Sequence, residues 1–353
     1  MSMRSPQQYS FSMRLLASVR NVARTAAVAA LVLGAACSRN GGQPVRVIIP
    51  PGASMRVAAE SLSKAGVIRS PRMFRFYAMV RGKDREIKAG TYQLRRGSKW
   101  GAVLEDLRAG KGIVYVVTIP EGFSLSQIVP LVSSKLSVPV DSVDAAVRDT
   151  ALLHQLDIPT PTLEGYLYPD TYIFSPGTTA RGAVNMMVRR FQAIWKPEWT
   201  ARLDTIKMSR NEVITLASIV EKEAKVAQER PVIAAVYLNR LKHGALLQAD
   251  PTVQYALGKH VARVYYKDLE AESPYNTYKH KGLPPGPIAS PGKPSIEAAL
   301  YPANVSYEYF VAFPDGHHEF RVDLNAHEKA RLEARKAWDS VDATHRGDPT
   351  RAK

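Results

Sequence analysis

Apolar positions along the chain alternate between short β-branched runs and stretches of helical period. The runs Val45 to Ile49 and Ile113 to Ile119 read as strands. Each leads into a similar turn, Ile49-Pro50-Pro51-Gly52-Ala53-Ser54 and Ile119-Pro120-Glu121-Gly122-Phe123-Ser124, at an offset of 70 residues. Each turn precedes an amphipathic stretch, with Val57 and Leu62 in the first and Ile128, Leu131 and Val132 in the second. The pattern predicts one strand–turn–helix unit used twice. Between the copies, Ala89 to Leu94 reads as a strand, and Trp100 to Leu107 as a helix that Gly110 stops.

Further along, the spacing predicts a helix from Ala180 to Trp195. The best-defined helix follows. Ser209 and Glu212 form a capping box, S-x-x-E. Val213, Ala217, Val220, Ala224 and Ala227 then place one apolar stripe on one face. Pro231 and Gly244 bracket the next helix, and Asp250-Pro251 reads as N-cap and first position of another that ends at Gly258. A Pro/Gly loop (Gly282 to Pro294), a hairpin about Pro314-Asp315-Gly316, a charged helix and a frayed basic tail (344–353) complete the chain. The expected class is α+β: a small module at 45–118, then a mixed domain at 119–343.

The N-terminus follows a different grammar. Residues 1–40 carry Arg4, Arg14, Arg20, Arg24 and Arg39, no acid, and an apolar run from Ala26 to Cys37. A basic flank before a short apolar core is the pattern of an export signal or membrane anchor. The run is shorter than the ~20 residues of a spanning helix. Cys37 follows Gly34-Ala35-Ala36 and resembles a lipoprotein cleavage site, although Gly34 stands where Leu is usual. Lipidation at Cys37, a cleaved signal and an uncleaved anchor all remain open. A single cysteine excludes an internal disulfide and any Cys-rich metal site. The chain has 353 residues and a formal charge of +16, five charges of which belong to this segment. Other basic residues are spread along the chain instead of interleaving with aromatics, which with export argues against nucleic acid.

Candidate chemistry centres on Glu221-Lys222-Glu223. Glu221 has Lys225 at i+4, the favourable surface pair, so an ordinary structural role explains it. Glu223 has Ile219, Val220, Val226 and Ala227 at the helical neighbour positions, all apolar. A carboxyl framed by aliphatics, if buried in a cleft, takes the raised pKa of a general acid. The bland alternative is a boundary Glu bonded to a neighbouring element. Gln248, Asp250 and Thr252 form a second polar cluster, with Asp250 explained as a helix cap. Tyr275-Asn276-Thr277-Tyr278 has rings and an amide suited to sugar, against an Asx turn with half-buried aromatics. Glu164, Tyr168 and Asp170 are similar. His317-His318 reads as solvated, no metal site is expected, and no phosphate-binding glycine pattern is present.

Several ordered motifs also resemble a known family. Ala217 to Glu223, Glu229-Arg230, Val236-Tyr237-Leu238-Asn239-Arg240-Leu241, Leu247 to Val253, Tyr275 to Tyr278 and Gly282 to Ile288 look like the endolytic murein transglycosylases, the YceG-like family. Lys88 to Tyr92 and Glu164 to Thr171 match as well. The resemblance covers about residues 45–330. It implies a LysM-like first subdomain, a catalytic domain after it, and cleavage of the MurNAc–GlcNAc β-1,4 bond of nascent peptidoglycan glycan strands to leave 1,6-anhydroMurNAc ends. It implies Glu223 as the catalytic residue, no cofactor, an inner-membrane anchor and cell-wall synthases as partners. Glu164, Tyr168, Asp170, Gln248, Asp250, Thr252, Tyr275, Asn276 and Thr277 are the candidate substrate-binding residues. The rival expectations are a non-catalytic peptidoglycan-binding scaffold and a two-carboxylate glycoside hydrolase pairing Glu223 with Glu164 or Asp250.

Overall fold

The computed structural model describes residues 42–85, 87–258 and 264–346. The export segment, Cys37 and the tail beyond Arg346 lie outside the described residues. No helix among the described residues is long and apolar enough to cross a membrane. The chain divides into two compact units, with the boundary after Val114.

In the first unit, β1 (Pro44–Ile49) pairs antiparallel with β2 (Gly90–Arg95), Val47 opposite Tyr92. Alternation sends Val47, Ile49, Tyr92 and Leu94 to one face, where α1 (Met55–Lys64), α2 (Pro71–Val80) and α3 (Trp100–Ala109) cover them. The Tyr92 hydroxyl leaves that core by donating to the Lys88 carbonyl at 2.6 Å. Gly110 closes α3 in the left-handed conformation, as its position in the sequence predicts.

The second unit opens with the other copy of the echo. β3 (Tyr115–Thr118) pairs antiparallel with β4 (Thr171–Phe174) and so belongs here, and α4 (Leu125–Leu136) follows its turn. Gly52 and Gly122 hold the same left-handed turn in the two copies, φ 70° and 75°. The strand–turn–helix repeat is therefore real in local structure, with one copy in each unit. Next come α5 (Val140–Val147), α6 (Thr150–Gln155), α7 (Ala180–Ile194) and α8 (Pro197–Ile206). The helix α9 (Arg210–Glu223) begins at the expected capping box: the Ser209 amide donates to Glu212 at 2.7 Å, and the Glu212 amide to the Ser209 hydroxyl at 3.2 Å. It is followed by α10 (Arg230–Lys242), α11 (Asp250–Ala256), α12 (Lys293–Leu300), the hairpin β5 (Tyr309–Ala312) and β6 (His318–Arg321), and α13 (Leu324–Arg346). The last helix runs into the stretch expected as tail, through Arg346.

Two expectations for α9 change. All eight residues from Val213 to Val220 are buried, so the helix is covered all round, not along one stripe. Thr215 and Ser218 fit inside because their hydroxyls bond backbone carbonyls of their own helix, at 2.7 Å each. The helix also stops at Glu223, where Ala224 turns extended (φ −67°, ψ 114°), short of Ala227. No breaker residue marks that end, so tertiary packing sets it.

The Pro/Gly loop packs onto α9 through backbone: the Ile288 amide donates to the Ser218 hydroxyl at 3.0 Å. Pro287 in the same loop lies against Gly165, whose φ is 83°; a Cβ there would meet Pro287 at 2.5 Å. The glycine is thus required twice, by conformation and by contact. Charge divides unevenly as well. Residues 42–114 hold 15 basic and 5 acidic side chains, residues 115–353 hold 28 and 27. The basicity that looked diffuse is concentrated in the first unit. We expect Gly165→Ala to cost about 2–4 kcal/mol, from left-handed strain plus overpacking, read as a lower urea midpoint with an unchanged slope.

Candidate active site

Consecutive helical residues point about 100° apart, so the last turn of α9 sends three side chains into three environments. Glu221 turns to the start of α12. Its carboxylate accepts from the Gly292 amide (3.0 Å) and the Ser295 hydroxyl (2.7 Å), and Arg230 lies 3.5 Å away. Its side chain is only 7% exposed, so the expected surface pair with Lys225 does not describe it. Glu221 instead ties α9 to α10 and α12. Glu121 stands beside this cluster against Gly292; burial and then the Glu221 charge push its carboxyl up, while Arg230 opposes.

Lys222 turns to a cleft of about 710 Å³, also lined by Gly122, Ser124, Gln127, Glu164 and Tyr255, within the size range of small-ligand sites. Its ammonium donates to the Gly122 carbonyl at 3.3 Å, and burial pulls its pKa down. Glu164 is 3% exposed. Both its oxygens accept from the Leu125 amide at the start of α4 (3.1 and 3.0 Å), and the Tyr255 hydroxyl donates at 3.3 Å. Burial outweighs these bonds and pushes its carboxyl up to about 7.

Glu223 turns the third way. The Tyr237 hydroxyl on α10 donates to it at 2.9 Å. The residue keeps part of its surface to solvent, yet its carboxyl is packed in protein. Burial pushes its pKa up to about 7; the Tyr237 bond opposes, the Asp250 charge adds to the rise, and Lys225 and Arg240 oppose. Arg240 is fixed by the carbonyls of Glu308 and Leu247, both at 2.6 Å. Only two of the four apolar neighbours expected from helical spacing, Ile219 and Val220, share the helix with Glu223. Val226 and Ala227 lie past the helix end, and the enclosure comes from α10 and α11.

The other predicted residues separate. Asp250 is the first residue of α11, not its cap, and caps no backbone amide. Its exposed carboxylate accepts from the Tyr278 hydroxyl at 2.5 Å, beside Glu223. Gln248 is exposed on a left-handed backbone (φ 52°), its amide donating to the Thr277 carbonyl at 3.1 Å. Thr252 and Thr277 are buried and bond each other at 2.8 Å, bracing α11 on the 275–278 loop. Asn276 is fully buried: it donates to the carbonyls of Leu269 and Ala271, both at 2.8 Å, and accepts from the Tyr278 amide at 3.0 Å. The Asx-turn alternative holds there: the amide's donors and acceptor are engaged by its own loop. Tyr275 packs on Tyr255, rings 4.8 Å apart, behind Glu164. Tyr168 is buried, and Asp170 pairs with Arg190 at 2.6 Å; neither has a bond to Glu223. His318 corrects a further reading. It is buried and bonds Glu229 at 2.7 Å, while His317 stays half-exposed beside Asp315. Among the described residues no group of three or more His, Cys, Asp or Glu side chains could hold a metal ion.

Spacing along the chain does not point to Tyr237, Arg240, Tyr255 or the Glu221–Arg230 tie as parts of the site. Tyr237 lies 14 residues from Glu223 on another helix, and no local signal joins them. The pattern of α9 and α10 did predict two neighbouring helices, so the facing polar residues of α10 were the available clue.

A buried helix ending in a carboxyl poised near neutrality is the layout of a general acid–base site. The chain belongs to the YceG-like family, whose model matches residues 47–333. It is 37% identical over 303 residues to the Bacillus subtilis protein named endolytic murein transglycosylase, covering 81% of this chain and 84% of that one. It is 31% identical to the protein of that name from Streptococcus pneumoniae strain D39, covering 77% of this chain but only about half (55%) of the longer relative. A crystal structure of a yceG-like protein from Listeria monocytogenes is similar at TM-score 0.61 and 35% identity, covering 81% of this chain and 98% of that one.

Glu164 is protonated more readily folded than unfolded, so its contribution favours the fold at low pH and fades between about pH 4.5 and 7. Glu164→Gln keeps an acceptor for the Leu125 amide and removes the titration. We expect it to flatten the fall in unfolding free energy across that window by on the order of 3 kcal/mol, measured by urea titrations at pH 5 and pH 8.

Proposed function

We propose that this protein is a lytic murein transglycosylase that cleaves the MurNAc–GlcNAc β-1,4 bond within peptidoglycan glycan strands, with Glu223 as acid and then base. The observation that carries the reading is the Glu223 carboxyl, pushed up to about 7 and oriented by Tyr237, in a chain similar to proteins named endolytic murein transglycosylase. Protonated Glu223 donates to the glycosidic oxygen as the bond to C1 of MurNAc breaks. The 2-acetamido group steadies the oxocarbenium-like centre, as substrate-assisted glycosidases allow. Glu223, now a carboxylate, takes the proton of the C6 hydroxyl, and O6 closes on C1 to give a 1,6-anhydroMurNAc end. The proton returns to Glu223, and no metal, cofactor or water enters the balance. Asp250 helps hold the proton on Glu223 through its charge; Tyr237 holds the carboxyl in place. Exposed Gln248 and Asp250, and the cleft with Lys222, Glu164 and Tyr255, offer polar groups to sugar and stem peptide.

The same reading takes the basic–apolar N-terminus as a membrane anchor, with both units on the outer side of the inner membrane and cell-wall synthases as neighbours. Support for it is the sequence grammar of residues 1–40. One observation favours a second reading. A carboxylate at Asp250 close enough to raise the Glu223 pKa could serve as a base for water, giving hydrolysis and reducing ends.

Mass spectrometry of digested strands separates the two: anhydro ends support the first, reducing ends the second. Glu223→Gln should lower the rate by at least about 100-fold with the melting temperature nearly unchanged. Glu221→Gln should lower the melting temperature, since it weakens the tie to Arg230 and α12, while the product chemistry stays the same. Full activity in Glu223→Gln overturns the assignment.

As the acid must be protonated, kcat/KM should fall as pH rises through about 7. Tyr237→Phe removes a bond that favours the charged form, so the pKa rises and the alkaline limb should move to higher pH, with kcat reduced by the lost orientation. A pH–rate profile of the variant checks the sign.

A further inference from the structure

Helix α2 of the first unit is amphipathic in an unusual sense. Phe74 and Ala78 point into the core, fully buried. The outer face shows Met73, Phe76, Met79 and Val80, each 56–67% exposed. Around them stand exposed arginines. Arg56, Arg72, Arg75 and Arg85 line a cavity of about 770 Å³ together with Phe76 and Met79. Asp84 is the one carboxylate on its wall among the described residues. None of Arg56, Arg69, Arg72 and Arg75 forms an ion pair among the described residues, whereas Lys83 and Arg108 both pair with Glu105. Residues 42–114 carry 15 basic against 5 acidic residues; Glu60 lines a neighbouring hollow with Arg56, Arg69, Arg72 and Arg75 but forms no ion pair among the described residues, so a positive surplus persists.

Exposed apolar side chains among unpaired arginines are the signature of an interfacial helix: stems and rings enter the headgroup layer while guanidinium groups meet phosphate. A hydroxyl-rich glycan offers the Met73–Phe76–Met79–Val80 cluster few complementary groups, because none of those side chains can donate or accept a strong hydrogen bond. The sequence adds a reason of reach. Only Ser38 to Gly41 separate the apolar N-terminal run from the first described residue, a span of about 15 Å when extended. With that run inserted, as the anchor reading has it, the first unit is confined to the bilayer surface. We propose that α2 and the Arg56–Arg72–Arg75 cluster form a docking surface for anionic phospholipid headgroups of a bilayer. The contact needs no activity from the second unit, so it stands or falls apart from the transglycosylase reading.

The test uses the chain from Gly42 onward, which keeps both hydrophobic cores and lacks the N-terminal run. Vesicles of phosphatidylcholine with one-third phosphatidylglycerol, and of phosphatidylcholine alone, are floated with it at low and high salt. The expected result is binding only to the anionic vesicles, weakened by salt. Arg72→Glu/Arg75→Glu should weaken it at least about tenfold. Phe76→Ser/Met79→Ser, which keeps every charge, should weaken it several-fold. Lys329→Glu/Lys336→Glu, the same charge change on exposed sites of α13, should leave it intact. Circular dichroism confirms folding of each variant. Equal binding to neutral vesicles, no binding to either, or equal loss in the α13 variant overturns the proposal. So does a pattern in which the α2 variants lose pull-down by murein sacculi but keep vesicle binding, which would make the surface a glycan contact.

Discussion

The second unit is organised around one constraint: α9 is buried on every side for eight residues and must return to polar surroundings within one turn. A helix so enclosed leaves no freedom in the direction of its final residues. Glu221, Lys222 and Glu223 emerge at fixed angles, and the surrounding elements supply each with what a buried charge needs. Glu221 receives an amide, a hydroxyl and an arginine. Lys222 receives a carbonyl and an open cleft. Glu223 receives a single phenol hydroxyl and a nearby carboxylate; burial and that carboxylate hold its proton more firmly than in an ordinary glutamate, while the phenol's bond opposes them. Two glutamates of one helical turn thus differ in chemistry because one is compensated and the other is not.

Much of the polar machinery around Glu223 is scaffold. Asn276, Thr252 and Thr277 are buried and bonded to the chain itself, and their combined effect is to set the turn that presents Gln248 and Asp250. The close approach of Pro287 to Gly165 and the Ile288–Ser218 bond do the same for the Pro/Gly loop. A motif that reads as a sugar contact in sequence can therefore be one step removed, because an Asn with its donors and acceptor occupied has little left to offer a ligand. The same distinction separates the two raised carboxyls. Glu164 bonds the amide that begins α4, a structural duty, while Glu223 bonds only a side chain.

What the sequence determined by itself was local and periodic. The echoed strand–turn–helix, the capping box at Ser209 and Glu212, the Gly110 stop and the hairpin about Pro314 to Gly316 all follow from spacing and turn chemistry, which act over a few residues. Three matters were decided only by the tertiary structure. The end of α9 at Glu223 carries no breaker and depends on the elements packed against it. The roles of Glu221 and Asp250 depended on Arg230, Ser295 and Tyr278, partners 9, 74 and 28 positions away along the chain. The division of charge was written in the sequence but had no meaning until the boundary after Val114 set the 15 basic and 5 acidic residues of 42–114 apart from those that follow. The physical reason is common to all three: hydrophobic period and turn propensity are carried by neighbours in the chain, whereas desolvation and charge compensation are carried by neighbours in space.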